Sequence, residues 1–230
     1  MKATIFALLS ILTLTLGCTS LPQEPSQPSG SVRVIELPEP GLKGEVTLEE
    51  TLFKRRSVRE YVDKPLSLGE VSQLIWAAQG ITESWGGRTA PSAGGLYPLE
   101  VYLTVGKVDG LSAGIYKYQP EGHKLQHIID ADIQVEVAKA SLDQAWVREG
   151  AIVIIIAAIF ERTTSKYGER GVRYVYLEAG HAAQNICLQA TALGLGAVTV
   201  GAFDDEKLKG VAGMLTEETP LYVIPVGKRN

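Results

Sequence analysis

Cysteine is nearly absent: of 230 residues only Cys18 and Cys187 carry a thiol. That excludes a disulfide framework and a metal site built from thiolates. Positive charge is not in excess either, since 22 Lys and Arg face 26 Asp and Glu for a net charge of -4, and nucleic acid is disfavoured as a partner. The apolar run near the amino terminus, from Ala3 to Leu16, is shorter than the roughly 18–20 residues that span a bilayer. With 45% hydrophobic and 21% charged residues the chain is neither disordered nor collagen-like, and a packed soluble domain is expected.

Histidine pairs do not rescue a metal site. His123 and His127 are spaced i, i+4 but flank a strand-like run, where four residues span roughly 13 Å. Glu178 and His181 form a Glu-x-x-His pattern, but a di-iron site needs a second copy and two further glutamates. A polar pair satisfied inside a buried helix is the reading, and no metal is expected.

What is abundant is glycine, 24 residues, which lets backbone approach a ligand closely. Residues 1–18, with Lys2, an uncharged apolar run and Gly17 before Cys18, form a signal-peptide pattern with a lipobox-like end. Thr15 stands where the lipobox usually has an aliphatic residue. Cys18 is the expected lipidation site, the alternatives being an ordinary cleaved signal or an uncleaved short anchor; in each case the body is expected outside the cytoplasm, with any membrane attachment through its amino terminus. Residues 19–44 hold Pro22, Pro25, Pro28, Pro38 and Pro40 and read as an extended tether. One domain is expected over 45–230.

Within it, Thr47 with Glu50 and Ser67 with Glu70 match the capping box, predicting helices over 48–56 and 68–79. Strands are predicted at 100–105, 114–118 and 124–129, then a helix at 132–142. The apolar run 151–159 suits a strand buried on both faces. A long helix over 170–193 is apolar nearly all round from Ala182 onward, which predicts burial in the core or against another subunit. A strand at 197–200, a short helix at 205–212 and a last strand at 221–226 complete an α+β order with a central, mixed, mainly antiparallel sheet. Trp76 is expected in the core, and Trp85, in a glycine-bordered loop, is the tryptophan best placed for a ligand.

Two segments suggest an aromatic cofactor bearing one phosphate. Arg55-Arg56-Ser57-Val58-Arg59 offers three guanidinium forks and a hydroxyl, suited to a phosphate or ring carbonyl. Ala90-Pro91-Ser92-Ala93-Gly94-Gly95-Leu96-Tyr97-Pro98 lets backbone lie against a flat ligand. It is neither a Walker A nor a dinucleotide-binding loop.

With these motifs, residues 48–230 resemble the flavin-dependent nitroreductase superfamily. The resemblance implies its fold, non-covalent FMN and a homodimer with cofactor at the interface. It assigns Arg55, Arg56, Ser57 and Arg59 to the phosphate and ring grip, and Pro91, Ser92, Ala93, Gly94 and Gly95 to the ring loop. Val200 and Gly201 fall in the segment meeting the flavin N5 edge, and Lys228 and Arg229 at the carboxy-terminal phosphate ligands. Arg162, Lys166-Tyr167, Arg170, Arg173-Tyr174 and Leu177–His181 are similar to the SagB-type dehydrogenases, which oxidise peptide azolines. That likeness implies Lys166 and Tyr167 as the catalytic pair. The expected function is hydride transfer between flavin N5 and a small or peptidic substrate; the alternatives are an NAD(P)H-dependent flavin reductase and a non-catalytic flavin- or ligand-binding lipoprotein.

Overall fold

A computed structural model describes residues 33–230. Cys18, the leader and the first part of the expected tether lie outside the described residues. The helices are α1 (Leu48–Lys54), α2 (Leu68–Gln79), α3 (Gln134–Ala140), α4 (Ala145–Glu149), α5 (Glu161–Tyr167), α6 (Arg170–Ala192) and α7 (Asp205–Val211). The strands are β1 (Val34–Glu36), β2 (Leu66–Ser67), β3 (Leu99–Val105), β4 (Val108–Asp109), β5 (Gly114–Gln119), β6 (Lys124–Ile129), β7 (Ile152–Ala158), β8 (Leu195–Ala197) and β9 (Thr219–Lys228).

Local signals place most of these. The Thr47 hydroxyl accepts from Glu50 N at the start of α1, and Ser67 with Glu70 makes the full reciprocal box on α2. Seven strands form one sheet in the order β1-β6-β5-β3-β7-β9-β8. Every pairing within it is antiparallel, so the expected mixed character is confined to the small β2–β4 pair and a parallel bridge between Ser57 and Ala197. All seven residues of β7 are buried, as a continuous apolar run demands. Ile152, Ile154 and Ile156 face a core shared with α2 and α6, while Val153, Ile155 and Ala157 face a second core under α3, α4 and α7.

Three expectations are corrected. The folded part starts before residue 45: β1 pairs with β6, Leu37 is buried, and Ser72 Oγ donates to Pro38 O. Three residues carry no visible periodicity, and their partner lies some ninety positions away in sequence, at Lys124–Gln126. From Ala182 onward helix α6 is buried or half-buried at every position but Gln184, as expected, and its first half packs one face on the core. Val175, Ala179, Ala182, Ala183, Ile186 and Ala190 face the core, while Tyr176 and Leu177 are more than half exposed. The strand expected at 197–200 begins earlier, at Leu195. Ala197–Val226 and Val200–Val223 keep one register, interrupted between them. Trp76 is only half-buried, lining a cavity between α2, α6 and residues 41–46.

Candidate functional site

An edge strand leaves backbone groups unpaired, and the segment after α1 covers that of β8. Ser57 bridges Ala197, Val58 N donates to Ala197 O (3.0 Å), and Val62 N donates to Lys228 O (2.8 Å). Gly196 permits the approach: a Cβ there would stand 2.6 Å from Val58 Cγ1. Arg55–Arg59, Leu195–Gly201 and Lys228-Arg229 therefore share one edge.

Their side chains divide. Arg56 Nη1 donates to Phe53 O (2.9 Å) and Arg55 O (2.7 Å), closing the end of α1. The Arg59 guanidinium lies over the Trp146 ring at 5.4 Å. Lys228 Nζ sits 2.5 Å from Glu70 Oε1. Burial would raise the Glu70 carboxyl, but Lys228 and Ser67 hold it below the usual carboxylate range. Among the described residues Arg55 and Arg229 have no carboxylate within ion-pair reach, and Ser57, Gly201 and Arg229 are exposed. Those groups form an anion-accepting edge.

The second cluster lies at Pro91–Gly95. Ser92 Oγ accepts from Tyr97 N (2.9 Å), and Gly94 and Gly95 take φ of 64° and 65°. A Cβ on Gly94 would lie 2.7 Å from Tyr167 Oη and 3.0 Å from Lys166 Nζ. The loop and the Lys-Tyr pair, some seventy residues apart in sequence, are thus in contact distance. Tyr167 packs edge-on against Tyr174 (5.2 Å) and Lys166 Nζ lies 5.4 Å from the Tyr167 ring centre. Arg162 Nη1 donates to Tyr97 O (3.1 Å), and its Nη2 reaches Glu100 Oε1 at 2.5 Å.

Glu178 was not expected here. It is 2% exposed and its Oε1 is unpartnered among the described residues, whereas His181 is exposed; the two are not a satisfied pair. Burial pushes the Glu178 carboxyl up to about 7, with the Ser92 hydroxyl and Arg88 charge opposing. Its place in the apolar stripe of α6, between Val175 and Ala182, was a readable signal. Among the described residues no cluster of His, Cys, Asp or Glu could hold a metal.

The two clusters attach at opposite ends of the sheet. The Gly94 loop enters β3 at Leu99, opposite Ala158, whereas Ser57 bridges Ala197, which is level with Val226, Ile152 and Val105. Six residues of strand separate those levels, about 20 Å.

The sequence profile of the nitroreductase family matches residues 52–228. The chain belongs to the nitroreductase family. Members bind FMN, so this is a flavin-dependent oxidoreductase. A Methanocaldococcus jannaschii protein assigned as a nitroreductase is 48% identical over 200 residues, 87% of this chain and 98% of its own. A Ralstonia eutropha protein with the same assignment has a crystal structure of TM-score 0.75 at 31% identity, covering 86% of this chain and 90% of that one. The microcin B17-processing protein McbC of Escherichia coli is 31% identical over 113 residues, 47% of this chain and 42% of its own.

Proposed function

We propose that this nitroreductase-family chain is a homodimeric, SagB-type dehydrogenase-like enzyme that oxidises a small or peptidic substrate, an azoline ring among the candidates. The observation that carries the reading is the seating of Lys166 and Tyr167 against Gly94. The likeness to the microcin-processing protein supports the peptidic class.

The residues fit FMN. Arg55, Ser57 and Arg229 supply donors for its phosphate that are unpaired among the described residues, with Val200 and Gly201 beside them, and Ser92 to Gly95 offer a face without bulky side chains for the ring. Arg56, Arg59 and Lys228 act instead by shaping that edge through their own partners. Since the two clusters lie at opposite ends of one sheet, a second copy completes each site, bringing the ring loop of one chain to the phosphate edge of the other. FMN supplies a hydride acceptor or donor at N5. Dehydrogenation at carbon also releases a proton, and Lys166 with Tyr167 takes it from the substrate. Each is held there by packing, Tyr167 on Tyr174 and Lys166 over the Tyr167 ring.

The test is anaerobic flavin reduction by an azoline peptide and, separately, by NADH or NADPH, in wild type, Lys166→Ala and Tyr167→Phe. Both variants are expected to keep FMN and to lose azoline-driven reduction by about 10²–10⁴-fold. Reduction by nicotinamide alone, unimpaired in both variants, overturns the reading. It leaves the NAD(P)H-dependent flavin reductase.

A further inference from the structure

Beside the Gly94 loop lies a second cavity, of about 560 Å³, lined by Gln79, Arg88, Tyr97, Glu100, Lys117 and Arg162 among others. That volume accommodates a ligand of dipeptide size. Gln79, the last residue of α2, is 1% exposed, yet its Nε2 donates to nothing among the described residues. Its Oε1 accepts from Arg88 Nη1 at 3.0 Å, which fixes the amide orientation. Arg88 Nε is likewise buried and unpartnered. A buried donor without an acceptor is costly, and here two of them stand on adjoining side chains in the wall of one cavity, where a ligand reaches them through a small side-chain shift.

Charge points the same way. Lys117 and Arg162 are matched by Glu100, and Lys117 also by Glu218. The Arg88 side chain is 12% exposed, and among the described residues its one carboxylate within ion-pair reach is Glu121 at 3.6 Å, itself 74% exposed. An exposed partner is screened by water. Arg88 is thus the cation in this cavity with room for another anion, and the Tyr97 ring, 4.5 Å away, holds its plane.

We propose that this cavity binds the carboxylate of a small or peptidic acid, with the Arg88 guanidinium and the Gln79 amide as its donors. Arg162 and Lys166 are one helical turn apart on α5, so they share a face, and the far end of the bound acid extends toward the Lys166–Tyr167 pair. This link to turnover rests on the function proposed above; the binding site rests on Gln79 and Arg88 alone.

The test is calorimetric titration of the flavin-loaded full chain with N-acetylglycylglycine and with its carboxy-terminal amide. The acid is expected to bind at least about tenfold more tightly than the amide. Gln79→Glu keeps the volume and the bond to Arg88 but turns the free donor into an acceptor, and is expected to weaken the acid by about ten- to a hundredfold. Arg88→Gln provides a second variant, with flavin content recorded for both. Equal affinity for acid and amide, no heat from the acid at millimolar concentration, or undiminished acid binding in both variants overturns the proposal. Binding heat needs no turnover, so Lys166→Ala that still binds the acid but has lost azoline-driven flavin reduction separates this site from the reaction.

Discussion

Gly94 and Tyr167 are so close that a Cβ on the glycine would stand 2.7 Å from the tyrosine hydroxyl. The glycine also takes φ of 64°, a backbone that costs an L side chain about 1–2 kcal/mol. Gly94→Ala is therefore expected to destabilise the protein by at least about that amount and to displace Tyr167, lowering flavin reduction. Gly86→Ala is the control. Its φ is also positive, at 94°, but among the described residues nothing lies within 4 Å of the added Cβ, so it is expected to lose stability and keep activity. Urea titration and reduction kinetics of both variants check the contrast.

Burial raises the Glu178 carboxyl to about 7 in the folded chain, above its unfolded value. The folded state therefore holds this proton longer, and between the ordinary carboxylate range and about 7 it binds more protons than the unfolded state. Stability is fully present below that window and falls as pH rises through it. Thermal melts of wild type against Glu178→Gln are expected to show this slope in wild type and its absence in the variant. Identical pH profiles would refute it.

Glu218 is fully buried, accepting from Tyr102 Oη (2.6 Å) and Leu215 N (2.8 Å) and pairing with Lys117 Nζ (2.5 Å). Burial would raise its carboxyl, but these partners hold it below the usual range. Lys117→Met strands that carboxylate and is expected to cost about 3–5 kcal/mol. Adding Glu218→Gln should restore most of the loss in a denaturant titration.

Arg55 and Ser57 are the side chains at the β8 edge proposed to hold the FMN phosphate. Charge-assisted contacts are worth about 1.5–3 kcal/mol, so Arg55→Ala is expected to weaken FMN by about ten- to a hundredfold, and Ser57→Ala by less. Flavin retention through dialysis measures both, and unchanged retention removes these residues from the phosphate site.

Cys18 lies outside the described residues, and its proposed lipidation rests on the leader pattern. Cys18→Ser is expected to abolish lipid labelling and release the chain from membranes, because acylation is the anchor that remains after cleavage. Membrane attachment that persists in the variant rules this out.

Local chemistry alone determined much of the fold. The Ser67–Glu70 box starts α2 where predicted, and the unbroken apolar run of β7 placed it between two layers, because caps and apolar runs are set by neighbours in the chain. Arg55–Arg59 and Pro91–Gly95 were equally legible, since glycine and arginine mark close approach and anion contact wherever they fall. What those side chains do was decided only by distant partners. Lys228 is taken by Glu70 and Arg59 by Trp146, while β1 exists because β6 offers it an edge. Glu178 points inward and His181 outward because α6 packs one face on the sheet, and the unmet donors of Gln79 and Arg88 arise where α2, the ring loop and β5 close around a space. Burial, and with it the cost of an unpaired charge or donor, is a property of the assembled layers.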